Sequence, residues 1–369
     1  MKENPQIMKI AFLGDIALVG QYNEKKDFDV SKSIDYLKKL LAQYDFIVAN
    51  LESPLTDKTT SFVCKSMHLR TKKENVRVLK ELGVDAVTLA NNHILDFGRK
   101  GLNDTINTLE AAGIGWYGVD GKTLFLEMDE KICLSGFCCY SANGTGYIDA
   151  KRKNGINALT LEKAMSQLKN DKESGAVSIV SIHWGLEHTN YPAYEHIKLA
   201  EKIAQMNQAV IHGHHPHIIQ GIQRKDNGSI VAYSLGNAIF DTVVSLNNKF
   251  SVEMNEQNRK ALVLDVEIKD GRIASYSYKG FYIGKREIEG LDIGEEMELI
   301  SKQIDRISNI TDYQNMRMEQ YKKVIQSKFG NHDIKWLMSR MNYYSIGAYI
   351  TGRLRNKKYE KEAEKFING

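Results

Sequence analysis

The chain has 369 residues, 42% of them hydrophobic and only four of them proline, so it can bury a large folded core and does not have the composition of a disordered chain. Its 50 basic and 46 acidic side chains leave a net charge of +4, and no basic stripe interleaved with aromatics occurs, which argues against a nucleic-acid partner. No window is apolar over a spanning length, and residues Met1 to Met8 offer neither a signal-peptide core nor an anchor, so the expectation is a cytoplasmic protein with no transmembrane segment.

Cys64, Cys133, Cys138 and Cys139 have no pairing logic, because two are adjacent and a third lies on the same strand-like stretch; small buried hydrophobes in a reducing compartment explain them.

In chain order, short apolar runs alternate with helical patterns. The runs are Ile10 to Leu13, Phe46 to Ala49, Ala86 to Leu89, Val177 to Ile182 and Ala209 to Ile211. The helical patterns are Ser31 to Ala42, Glu74 to Leu82, Gly101 to Ala112, Leu161 to Leu168 and Tyr194 to Met206. This alternation predicts βαβ units and a largely parallel sheet. From Ile218 to Tyr282 the pattern becomes strands with hairpin turns at Lys225 to Gly228 and Lys269 to Gly271, expected to be antiparallel and to form or extend a second sheet. Long helical stretches follow at Glu295 to Ile307, Asp312 to Phe329 and Ile334 to Arg355. They divide the chain into a domain over 1–290 and a helical accessory segment over 291–369. The last stretch sets Met and aromatic residues beside Arg353, Arg355, Lys357 and Lys358, the pattern of a packing helix or of one that docks on a surface.

Four of the ten histidines fall at His212, His214, His215 and His217, directly after the run Ala209 to Ile211. Imidazoles this dense at the end of a buried strand are costly to desolvate unless something binds them. Other ligand-type residues follow other runs: Asp15, Glu52, Asn91 with Asn92 and His93, and His183. Strand ends are where open α/β sheets build sites, so five of them converge on one pole. Each residue alone also reads as a cap, a turn or a hydrogen-bonded core histidine; their joint placement argues for a divalent metal such as Mn, Zn or Fe. Two such ions about 3.5 to 4 Å apart polarise a phosphoryl oxygen and lower the pKa of water, which points to hydrolysis. On the loop Cys64 to Lys72, the cations Lys65, His68, Arg70 and Lys72 are candidates for holding an anionic group, Arg70 first among them.

The motifs Leu13-Gly-Asp15, Asn50-Leu-Glu-Ser-Pro-Leu-Thr56, Ala90-Asn-Asn-His-Ile-Leu-Asp-Phe-Gly98, His183-Trp-Gly-Leu-Glu187, Gly213-His-His-Pro-His217 and Tyr233-Ser-Leu-Gly-Asn237 occur in the order seen in the bacterial capsule-synthesis CapA family. That family, of poly-gamma-glutamate synthesis proteins, resembles a branch of the calcineurin-like metallophosphoesterases. The resemblance implies a four-layered α/β/β/α sandwich with a C-terminal helical extension. It implies that Asp15 binds one metal, Glu52 bridges two, Asn92 and His183 bind the second, and His215 and His217 supply one ligand each; His214 matches a variable position. His93 resembles the histidine that protonates the leaving oxygen, with Asp96 orienting its ring. Arg70, His68 and Glu187 are the candidate substrate contacts. The pattern departs from the wider superfamily at Ala17, where an Asp-x-His motif would place a histidine. The function implied is a metal-dependent hydrolase of phosphoester type in capsule or poly-gamma-glutamate synthesis, acting on an anionic small molecule or polymer. The alternative is a non-catalytic accessory protein that binds polymer or partner enzymes of the assembly complex.

Overall fold

The structure is a computed structural model that describes residues 7–23, 27–65, 67–148, 151–246, 251–329 and 343–369, with side chains undescribed over 327–329 and 343–345. The amino-terminal half is built on β1 (Met8–Ile16), β2 (Phe46–Leu51), β3 (Ala86–Thr88) and β4 (Gly115–Tyr117). Between them lie α1 (Val30–Ser33), α2 (Asp35–Leu41), α3 (Val76–Glu81) and α4 (Gly98–Ala111). A second series follows with β5 (Leu124–Glu127), β6 (Lys131–Cys138), α5 (Leu161–Ser174), β7 (Val177–His183), α6 (Tyr194–Met206), β8 (Ala209–His214), β9 (Ile222–Arg224) and β10 (Ile230–Ala232). The remainder comprises β11 (Asn237–Ile239), a ribbon of β12 (Val243–Val244) and β13 (Ser251–Val252), β14 (Lys260–Lys269), β15 (Arg272–Ile283) and β16 (Ile288–Leu291), then α7 (Gly294–Asp305), α8 (Ile310–Phe329) and α9 (Tyr343–Asn368).

Two sheets result. The first runs β16-β15-β14-β1-β2-β3-β4, with β11 also paired to β1; β1 to β4 are parallel to one another and β14 to β16 antiparallel. The second runs β5-β6-β7-β8-β10-β9, parallel from β6 to β10 with antiparallel edges. Strand alternation sends Ile10, Phe12 and Val48 from the first sheet into a shared layer with Ile132, Leu134, Ile179 and Val210 from the second. The outer face of the first sheet packs on α1 to α4 through Leu37, Leu79, Leu102 and Leu109. The outer face of the second packs on α5, α6 and α9 through Leu168, Ile203 and Phe366. The architecture is therefore the four-layered α/β/β/α sandwich with a C-terminal helix.

Some expected elements differ. Ser31 to Ala42 is two helices, because Ile34 leaves helical geometry between them. Only β9 and β10 join the second sheet; β14 to β16 extend the first, since Ala261 to Ile268 align their alternate apolar residues with β1. Of the expected helix Ile334 to Arg355, residues 334–342 lie outside those described. Helix α9 continues through the charged run to Asn368 and buries Phe366 completely. All four cysteines are free thiols. Among the described residues no helix is long and apolar enough to cross a membrane.

Candidate metal centre

The parallel strands of both sheets end at one pole, and the ligand-type residues sit on those ends. Asp15 lies within β1 opposite Asn50 of β2, and Glu52 directly follows β2. Asn92 and His93 follow β3; His183 closes β7 opposite His214 of β8, and His215 and His217 follow β8. The turn after β8 is held in an unusual shape. His215 and His217 have φ values of +95° and +57°, a left-handed conformation that costs a side-chain-bearing residue about 1–3 kcal/mol and persists where surrounding structure demands it. Gly213 is required because a Cβ there would sit 2.1 Å from the Tyr233 carbonyl oxygen.

The geometry brings together Asp15, Glu52, Asn92, His183, His215 and His217. Glu52, His215 and His217 each offer a ligand atom within 4.8 Å of the others, a cluster that can hold a metal ion. His183 Nε2 lies 3.0 Å from Asn92 Oδ1 and 3.7 Å from Glu52 Oε1. His217 Nε2 is also 3.7 Å from Glu52 Oε1, while its Nδ1 is 3.4 Å from Asp15 Oδ2. Asp15 accepts from Asn50 Nδ2 at 2.7 Å and from the His215 backbone N–H at 3.2 Å. Both Glu52 oxygens and His215 Nδ1 are buried and take part in no hydrogen bond. These donors fit a divalent ion: buried polar atoms left unpaired cost about 1–3 kcal/mol each, and imidazole with carboxylate is a donor set suited to borderline divalent metals.

Electrostatics sharpen the site. Burial pushes the Glu52 carboxyl up to about 8, with Asp15 adding repulsion and the His217 imidazole opposing. Burial also disfavours the Asp15 anion, yet His214, His217 and His183 overcome it and hold that carboxyl below the usual carboxylate range. Burial depresses His215 to about 3 and His183 well below the ordinary imidazole value. His217 is raised, because Glu52, Asp15 and Glu187 outweigh its burial.

His93 and Asp96 form a second group beside the first. His93 Nδ1 lies 2.6 Å from Asp96 Oδ2, and Lys65 Nζ donates to Asp96 Oδ1 at 2.8 Å and to the Asn92 carbonyl at 2.7 Å. The Leu69 backbone N–H adds a bond to Asp96 Oδ2 at 2.8 Å. Burial lowers the His93 pKa and Asp96 opposes that shift. Of the proposed substrate contacts, His68 turns inward: it is buried, with Nε2 2.9 Å from the Val63 carbonyl and its ring edge-on to Phe97. Glu187, paired with His188 at 3.6 Å, is partly exposed and acts electrostatically on Glu52, His215 and His217. Arg70 is half-buried on the same loop as Lys65.

Three contributors escaped the sequence reading. Asn50 holds Asp15. Asn237 Oδ1 lies 3.0 Å from His217 Nδ1, fixing the ring so that Nε2 faces Glu52, and Asn258 Nδ2 donates to the His217 carbonyl at 2.9 Å. Asn50 and Asn237 stand inside quoted motifs, so motif membership was the available signal; Asn258 had none.

A two-sheet sandwich with Asp, Glu, Asn and His donors at its strand ends is the architecture of the calcineurin-like metallophosphoesterases. Within that class, residues 9–242 match the family described as Bacterial capsule synthesis protein PGA_cap, and the chain belongs to this family. It is 29% identical to the PGA biosynthesis protein CapA of Bacillus subtilis (strain 168) over 64% of this chain and 64% of that one. It is 31% identical to the Capsule biosynthesis protein CapA of Bacillus anthracis over 65% and 61%. A Probable polyglutamine synthesis accessory protein of Mycobacterium tuberculosis is 27% identical over 53% and 56%. The match thus spans less than two thirds of each relative's length.

Proposed function

We propose that the chain is a metal-dependent hydrolase of phosphoester type, working in capsule or poly-gamma-glutamate synthesis on an anionic small molecule or polymer, in the cytoplasm. The observation that carries this reading is the set of buried, unpaired donors at the strand ends, Glu52 Oε1 and Oε2 and His215 Nδ1. In this reading Asp15, Glu52, Asn92, His183, His215 and His217 would hold the ions, Asp15 toward one, Asn92 and His183 toward the other, and Glu52 toward both. Two ions of Mn, Zn or Fe supply, when bound, polarisation of a phosphoryl oxygen and a lowered pKa for water.

The chain's own groups do the rest. Asp96 accepts the His93 Nδ1–H, which leaves His93 Nε2 to carry a proton to the leaving oxygen. Lys65 and the Leu69 N–H hold Asp96 as a carboxylate in that orientation. His68 braces the loop that carries Arg70, whose guanidinium meets the anionic group, while Glu187 accepts from a substrate hydroxyl or amide. Residues 291–369 are proposed as an accessory segment, since none of its described residues supplies a donor to the site. Capsule-synthesis enzymes are the proposed partners.

Metal analysis of untagged protein, with turnover of a phosphoester panel before and after chelation, tests the reading. Metal-dependent hydrolysis is expected. A protein that holds metal yet hydrolyses nothing on the panel supports the accessory role instead, the role in the name of the mycobacterial relative.

A further inference from the structure

Two histidines of β8, His212 and His214, point into the layer between the sheets, and the protein treats them differently. His212 is fully satisfied: Nε2 lies 2.8 Å from the Leu13 carbonyl and Nδ1 3.2 Å from Ser181 Oγ. His214, its ring 4.0 Å from that of His212, is 1% exposed and has no hydrogen bond at either nitrogen. Its Nδ1 nevertheless lies 3.3 Å from Asp15 Oδ1. Two atoms bound to one ion at roughly 2.0–2.2 Å each are separated by about 3.0–3.5 Å at tetrahedral or octahedral angles.

On the other oxygen of Asp15, His217 Nδ1 lies 3.4 Å from Oδ2 but is engaged by Asn237 Oδ1 at 3.0 Å, and position 17 supplies no donor. Ala17, two residues on, is completely buried and packs in an apolar cluster with Val19, Leu69 and Val243. The position that would carry a histidine in the wider superfamily is therefore closed to a ligating group in this chain. We infer that His214 is a metal ligand, supplying from β8 the imidazole that position 17 does not, so that Asp15 and His214 hold one ion together. The inference rests on the proposed metal centre and concerns a residue which that ligand set leaves out.

A ligand and a structural histidine differ in what their replacement loses, metal affinity in the first case and the metal-free fold in the second. Co²⁺ titration of metal-free wild type and of His214→Phe, followed by visible absorption and by competition with a chelating dye, reads affinity and number of ions directly. Thermal unfolding of the metal-free proteins reads structure. His214→Phe is expected to bind one fewer Co²⁺ per chain, or to bind it at least about 100-fold more weakly, with a changed cobalt spectrum. The metal-free variant should still fold, with at most a modest loss of melting temperature, because the replaced nitrogens make no hydrogen bond and lose only the 3.3 Å contact of Nδ1 with Asp15 Oδ1. His214→Ala provides the same comparison without the larger ring. Wild-type Co²⁺ affinity, stoichiometry and spectrum in these variants would overturn the assignment while leaving the metal centre intact, and so would failure of both variants to fold metal-free. Absence of Co²⁺ binding in wild type would overturn the centre and this assignment together.

Discussion

Strand β7 has a buried carboxylate near each end, and the two are treated in opposite ways. At its amino end, Asp171 accepts from Gln167 Nε2 at 2.7 Å and from Ser178 Oγ at 2.8 Å, and Asn207 completes the network on Ser178 at 3.0 Å. At its carboxyl end, Glu52 faces His183 with no hydrogen bond at either oxygen, beside two histidines whose backbones are strained. Both carboxyls are raised by burial. A satisfied buried carboxylate joins α5 to the sheet, whereas an unsatisfied one, kept in place despite its cost, is the mark of a site shaped for a cation.

Swapping the two carboxylates' chemistry is the strongest way to break this contrast. Glu52→Gln should remove bound metal and reduce turnover about 1,000-fold or more, while leaving metal-free stability unchanged or higher, since the amide avoids the cost of protonating a carboxyl that burial has raised to about 8. Metal analysis beside denaturant unfolding reads both effects; retained metal would refute the contrast. Next in size, His93→Ala should keep its metal and lose roughly 100-fold in turnover of substrates with poor leaving groups, with aryl phosphoesters suffering less. Equal losses for both substrate kinds would make His93 structural. At the other end of β7, Asp171→Ala should cost about 1–3 kcal/mol by stranding Ser178 and Gln167, with metal content unchanged.

The smallest effect sharpens the contrast away from both ends. His196 lies behind the second sheet, stacked on Trp184 at 4.9 Å, and burial lowers it to about 4. Between that value and the unfolded value of about 6.5, the unfolded chain binds the proton and the folded chain does not, so stability is full above pH 6.5 and falls as pH drops towards 4. The share due to His196 should reach roughly 1 kcal/mol at pH 5.5 and be missing from His196→Phe, whose remaining slope comes from the other depressed histidines, His93, His183, His212 and His215. An unchanged pH slope in that variant would assign the loss to other groups.

The strand ends were legible because each run of Val, Ile and Leu was closed by a polar residue, as in Ile10 to Asp15 and Val177 to His183. Strand β6 was legible only as a strand-like stretch around its cysteines and not as one of the apolar runs, because Ser135 and Gly136 interrupt its pattern; Gly136 is needed where a Cβ would lie 2.6 Å from Thr88 Oγ1. Lys65 read as one cation among four on a loop, and only tertiary packing selects it for Asp96 over Arg70. His68 read as a candidate contact for an anionic group on the same loop, and its inward placement was hidden for the same reason. Its burial against Phe97 depends on contacts between a loop and a helix start that no local spacing records.

Whether the unpaired donors at the strand ends bind divalent metal can be read by anomalous diffraction from Mn²⁺-soaked crystals, recorded on either side of the manganese edge. Anomalous density is expected within about 2.0–2.3 Å of Glu52, His215 and His217. An ordered pole with no anomalous density, or manganese bound only elsewhere on the protein, would contradict a metal centre at these residues.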